Sequence, residues 1–236
     1  MGNSYFQFKQ FAVHQDKTAM KVCTDTCLFG AYMAQNFSRE NVLDIGAGTG
    51  LLSLMYVQKN HQSNITAIEI EENAFAQAQE NILQSPWKAR IGLRHIALQQ
   101  YSPTEKFDLI LCNPPFFDND LKSADAERNM AMHSTQLSLS EIFAFAAKYL
   151  NENGTFALLL PYHRTAESEN IAATFSFFLQ EKLLVRQTPK HDFFRSILVF
   201  STAEKSILEK EMTIKDAENQ YSAAFAELLK DYYLFL

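Results

Sequence analysis

Glycine is scarce in this chain, at seven in 236 residues, and so are proline (six), cysteine (three) and tryptophan (one). There is no internal repeat and no low-complexity linker, which excludes solenoids and flexible arrays. Three cysteines are an odd number in a chain too large to need covalent staples, so a disulfide framework is excluded. Cys23 and Cys27 stand at helical spacing, but no second pair and no His-x-His cluster completes a metal site. All three are expected to be buried free thiols, with no metal bound. No apolar run approaches the roughly 18 residues of a membrane span, and the Met1-Gly2-Asn3-Ser4 start lacks a charged region followed by an apolar core. The expectation is a soluble, cytoplasmic protein with no membrane partner and no obligate protein partner.

What is present is apolar content, at 47% of residues, enough to bury one good-sized core, so residues 1–236 are expected to form a single domain. The formal charge of −6 argues against indiscriminate binding to phosphate backbones. Its distribution is uneven. Lys182, Arg186, Lys190, His191 and Arg195 fall within fourteen residues, Lys9, Lys17 and Lys21 form a second basic group, and Glu69, Glu71, Glu72 and Glu80 collect elsewhere. Lys182, Arg186, Lys190 and Arg195 are the candidate contacts to a nucleic acid; the alternative is ordinary solvated charge.

From Asn41 the chain alternates β-rich runs with helical patterns. Strands are predicted at 42–45, 65–70, 90–96, 107–112, 155–161, 182–188 and 196–200, with helices near 50–60, 72–84 and 138–150. Helices of that length between strands give right-handed crossovers and a doubly wound α/β sheet. The short Pro-Lys-His-Asp link before the last strand suits an antiparallel hairpin. A mostly parallel seven-stranded sheet with a C-terminal antiparallel hairpin and helices on both faces resembles the class I, Rossmann-like methyltransferase fold. Residues 39–202 would be its catalytic core. Residues 1–38 would form a lid over the cofactor, with Thr24 and Asp25 beside it and capping a helix through about Gln35. In the extension 203–236, Tyr221, Phe225, Leu228, Leu229 and Tyr232 recur at helical spacing and would pack on the body.

Gly46, Gly48 and Gly50 lie within five residues directly after the first core strand. Glycines there allow a tight strand-to-helix turn and close approach of a ligand to main-chain N–H groups. The third glycine of a dinucleotide fingerprint would fall at Leu51, and Asp44 would oppose a pyrophosphate. A phosphate-free cofactor fits better. S-adenosylmethionine would place its ammonium near Asp44 and its ribose hydroxyls on Glu69.

Asn113-Pro114-Pro115-Phe116 follows the fourth core strand. The two prolines stiffen the exit and remove two N–H donors, leaving the Pro114 carbonyl free. An amine whose lone pair is delocalised into a ring is a poor nucleophile. Acceptors at the Asn113 side chain and the Pro114 carbonyl would hold its hydrogens in a geometry that frees the lone pair, while Phe116 stacks on the base. Asp118, Asp120 and Asp125 lack the glycine and terminal Glu of a calcium loop and are read as solvated acids.

Taken together, the segments FKQFAVHQDKTAMKVCTDTCLFGA, VLDIGAGTGLLSLM, AQAQENILQSPW, FDLILCNPPFF and NQYSAAFAELLKDYYLFL resemble the bacterial tRNA1(Val) adenine N6-methyltransferases over nearly the whole chain. The resemblance implies that Asp44, Gly46, Gly48 and Glu69 bind cofactor, that Asn113, Pro114 and Phe116 hold an adenine, and that tRNA is the partner. It departs at Phe116, where the family commonly has Tyr, and at Ala97, where related enzymes often place an Asp against the cofactor adenine; Gln99 is a weak substitute. Two alternatives stand beside it. One is an N5-glutamine methyltransferase acting on a protein, which shares the Asn-Pro-Pro-aromatic pattern; the other is an NAD(P)-dependent oxidoreductase.

Overall fold

The structure is a computed structural model that describes residues 3–18, 21–114 and 137–236. Its elements in chain order are β1 (Tyr5–Gln7), β2 (Ala12–His14), α1 (Thr24–Asn36), β3 (Asn41–Ile45), α2 (Leu51–Lys59), β4 (Asn64–Glu69), α3 (Glu72–Gln84) and β5 (Ile91–His95). They continue with β6 (Phe107–Cys112), α4 (Leu139–Tyr149), β7 (Leu150–Pro161), α5 (Thr165–Thr174), β8 (Phe178–Arg186), β9 (Phe193–Ser201), β10 (Leu208–Thr213) and α6 (Ala223–Leu229).

Strands β3 to β10 form one eight-stranded sheet in the order β10-β8-β9-β7-β6-β3-β4-β5. Strands β3 to β7 run parallel, and β9 inserts antiparallel between β7 and β8. The seven expected strands are all there; the eighth, β10, adds itself parallel to β8 at the edge. Three cross-strand ion pairs hold it: Lys182 to Glu209 at 3.3 Å, Arg186 to Glu211 at 2.7 Å and Lys210 to Glu181 at 2.7 Å. Its alternating charges are those of an edge strand, and they hid it from a reading based on apolar periodicity.

Two apolar layers flank the sheet. Val42, Ile65, Leu109 and Leu111 meet α1, α2, α3 and α6 on one side, while Leu43, Ile45, Ile110 and Cys112 meet α4 and α5 on the other. Helix α2 is buried from Leu51 to Gln58, sandwiched between α1 and the sheet. Gly30 permits that closeness, since a Cβ there would stand 3.0 Å from Met55 Sδ. The C-terminal stripe packs as expected through Phe225, Leu228, Leu229 and Tyr232, whereas Tyr221 stays exposed. The β1–β2 hairpin was not foreseen, because three-residue strands are too short to show a period. It joins the C-terminal end: Lys9 N–H donates to the Tyr232 carbonyl at 2.8 Å, and Phe8 packs on Tyr233.

Candidate active site

Strand alternation decides which side chains converge. On β3, Asp44 shares a face with Val42; on β4, Glu69 shares a face with Ala67; and beyond β6, Asn113 follows the side of Leu109 and Leu111. All three therefore turn toward α1 and α2 at the carboxyl edge of the sheet. Ile45 pairs with Cys112 and with Ile68, so the loop after β3 lies between Glu69 and Asn113 at one level. This edge is where parallel sheets bind ligands, at the point where strand order reverses.

Gly46 and Gly48 have φ of +71° and +57°, and a Cβ on either would meet nothing within 4 Å. Their left-handed backbone faces open space, as a ligand-cradling turn requires. The loop is held from below by Glu69, whose Oε2 accepts the Gly48 N–H and whose Oε1 accepts the Ile70 and Glu71 N–H groups, each at 2.8 Å. A carboxylate has about four acceptor positions, so Glu69 retains capacity for a hydroxyl.

Asp44 is fully buried. Ser53 Oγ of α2 donates to its Oδ2 at 2.7 Å, while Oδ1 has no protein partner among the described residues. Burial away from water pushes its carboxyl up to about 6. A buried carboxylate with a vacant oxygen fits a cationic ligand group. Alongside lies a small cleft of 60 Å³ lined by Gly46, Glu69, Ile70, Ile96, Ala97 and Leu98, and Ile70 is 59% exposed within it. Ala97 presents no acid there. Gln99, at its rim, donates through Nε2 to Glu141 at 2.9 Å.

Asn113 Nδ2 donates to Thr26 Oγ1 of α1 at 3.0 Å, and Asn113 Oδ1 is buried with no partner among the described residues. Pro114 is buried beside it. Pro115, Phe116, Asp118, Asp120 and Asp125 lie outside the described residues.

The expectation that Thr24 and Asp25 cap α1 needs correction. The residue at the cap of α1 is Cys23, with no side-chain capping bond, and the helix starts at Thr24. Asp25 instead accepts the Thr26 N–H at 2.9 Å and pairs with Arg195 Nε at 2.7 Å. Cys23 is exposed rather than buried, while Cys27 and Cys112 are buried as expected; all three are free.

Of the proposed basic contacts, Lys182 is engaged by Glu169 and Glu209, Arg186 by Glu211, and Arg195 by Asp25. Lys190 is exposed. A charge cluster in sequence does not reveal whether carboxylates from other elements neutralise it. Sequence reasoning also missed Ser53, Thr26, Gln77 and Asn81. The last two are fully buried amides on α3, where Asn81 bonds both His14 main-chain groups and the Thr49 carbonyl, and Gln77 accepts the Lys17 N–H. Their signal was legible: two amides four residues apart on the face that carries Ala74, Ala78 and Ile82.

The chain matches the model of the methyltransferase small domain over residues 19–183. Among solved structures it is similar in fold to a predicted O-methyltransferase from Agrobacterium tumefaciens, with a TM-score of 0.70 at 14% identity, covering 87% of this chain and 95% of that one. Similarity to a putative RNA methyltransferase from Pyrococcus horikoshii is lower, with a TM-score of 0.54 at 17% identity over 78% and 83%. The curated relatives are nearer. A tRNA1(Val) (adenine(37)-N6)-methyltransferase of Flavobacterium johnsoniae is 39% identical over 97% of this chain and 99% of its own length. Those of Pseudoalteromonas translucida and Bacteroides thetaiotaomicron are 40% and 37% identical, over 98% and 100% of this chain and 99% and 100% of theirs. With the glycine loop, the buried acids and Asn113 set on a methyltransferase sheet, and with end-to-end similarity at this level, the chain belongs to the tRNA1(Val) (adenine(37)-N6)-methyltransferase family.

Proposed function

We propose that this protein transfers a methyl group from S-adenosylmethionine to the N6 amine of adenine 37 in tRNA1(Val), as its relatives are named for doing. The observation that carries the chemistry is the buried Oδ1 of Asn113 beside the glycine loop, which has no partner among the described residues. S-adenosylmethionine supplies an electrophilic methyl on a sulfonium. Asp44 Oδ1 would receive its ammonium, directly or through water, Glu69 a ribose hydroxyl, and the cleft beside Ile70 its adenine.

The residues of this chain then act on the acceptor. Asn113 Oδ1 and the Pro114 carbonyl each take one hydrogen of the flat amine and favour a tetrahedral nitrogen. Phe116 would stack on the base, so that the plane of the acceptor is fixed before reaction. Positioning of this kind supplies up to roughly 7–11 kcal/mol, and the amine, acidified as it is alkylated, releases its proton to solvent. No general base is required.

The RNA would lie over the same edge of the sheet. Tyr162 after β7 packs on Phe193 of β9 at 5.6 Å, and Arg186 covers Phe193 at 5.2 Å. Exposed Lys190 and His191 flank them in the β8–β9 connection. Aromatic and cationic groups together suit unpaired bases and their phosphates. A tRNA substrate also implies a cytoplasmic enzyme. Replacing Asn113 by Ala should lower methyl transfer to tRNA by about 10²- to 10³-fold with cofactor affinity retained. Transfer within about threefold of wild type would contradict the role of Asn113.

A further inference from the structure

The two ends of the Asn113 amide are chemically opposite. The carbonyl oxygen accepts a hydrogen from an amine, whereas the NH₂ end presents hydrogens to hydrogens. Among the described residues, the only group bonding this side chain is Thr26, whose Oγ1 accepts from Nδ2 at 3.0 Å. Thr26 is itself 9% exposed and tied down on several sides. Asp25 Oδ1 accepts its backbone N–H at 2.9 Å, and Asp25 Oδ2 accepts from Arg195 Nε at 2.7 Å. The Thr26 hydroxyl also stands 3.0 Å from Cys23 Sγ, a pair in which either atom can donate, and in both cases its oxygen keeps a lone pair for Asn113 Nδ2.

We propose that Thr26 is a positioning residue for methyl transfer: by accepting from Nδ2 it fixes the amide of Asn113 with Oδ1 toward the acceptor amine, while the Asp25–Arg195 pair anchors Thr26. The proposal rests on Asn113 being the acceptor of the amine hydrogens. It makes the first turn of α1 part of the catalytic geometry, beyond any role as a cover for the cofactor. It also gives Arg195 a structural partner in place of the nucleic-acid contact its sequence neighbourhood suggested.

Thr26→Val keeps the volume and removes the acceptor; Thr26→Ser keeps the acceptor. T26V should lower the single-turnover rate on tRNA by roughly ten- to a hundredfold, with the KM for tRNA and the Kd for S-adenosylmethionine within about threefold, and T26S should recover most of that rate. The decisive arm uses Asn113→Asp as a second background. A carboxylate has no wrong end, so adding T26V to N113D should cost less than about twofold relative to N113D alone. The proposal is overturned if T26V stays within about twofold of wild type, if T26S is no better than T26V, or if the T26V penalty is undiminished on N113D. Should T26V fail to fold by thermal melting, T26A is read in the same cycle. Wild-type protein that transfers no methyl to tRNA adenine would overturn the functional reading itself; an active wild type with an indifferent T26V overturns only the role of Thr26.

Discussion

Asp44 combines complete burial, one oxygen held by Ser53 and one with no partner among the described residues, and a carboxyl pushed up to about 6 by loss of water. In the unfolded chain the same group titrates near 3.8, so between that value and about 6 the folded protein holds a proton that the unfolded chain has lost. Its contribution to stability is therefore fully present below 3.8 and is lost as pH rises through about 6. Two consequences are measurable. Asp44→Asn should raise the melting temperature of the cofactor-free protein at pH 8 by several degrees, while weakening S-adenosylmethionine by at least about thirtyfold in calorimetry. In the wild type, the Kd should rise roughly tenfold per pH unit below about 6, because the protonated acid no longer attracts an ammonium. A Kd flat between about pH 5 and 7 would contradict this assignment. The candidacy of Asp44 was legible in the sequence from its place before the glycines. Its partner Ser53 was not, since a serine within an apolar helix carries no sign of which strand residue it will face.

Between elements, the linkage that matters is the one joining the N-terminal segment to the glycine loop. Asn81 of α3 accepts the His14 N–H at 2.8 Å and donates to the His14 and Thr49 carbonyls at 2.9 Å each. A buried side chain thus ties β2 to the glycine turn. Asn81→Leu leaves three main-chain groups without this partner, the buried Thr49 carbonyl at about 1–3 kcal/mol and the two half-buried His14 groups at less. It should lower the melting temperature and weaken S-adenosylmethionine together. Loss of stability with an unchanged Kd would show that the tie is only structural. The bounds of α3 were readable to the residue from its periodicity, and those of β6 from its apolar run. The β1–β2 hairpin was not, because its short strands gain order from Phe8 and Lys9 meeting Tyr232 and Tyr233 at the other end of the chain. Nor was β10, whose glutamates and lysines read as solvent-facing until Lys182, Arg186 and Glu181 are seen to answer them. Thr26 and Asn113, 87 positions apart, are a pair for the same reason: the fold alone makes them neighbours.

Across the whole molecule, a net charge of −6 must coexist with an RNA partner, so binding has to be concentrated at one edge. In the proposed reading that edge carries exposed Lys190, in the β8–β9 connection that leads to Phe193 and its Tyr162 partner. Lys190→Glu should weaken tRNA several-fold, reduce the salt dependence of binding by about one phosphate contact and leave the cofactor Kd unchanged. Unchanged tRNA affinity would move the RNA to another face. The most direct test of the central claim is mass spectrometry of nucleosides from unmodified bulk tRNA incubated with the protein and isotopically labelled S-adenosylmethionine, followed by mapping of the labelled isoacceptor. The account predicts labelled N6-methyladenosine at adenine 37 of tRNA1(Val), lost with N113A. Label in a glutamine of a release-factor peptide and none in RNA would contradict it.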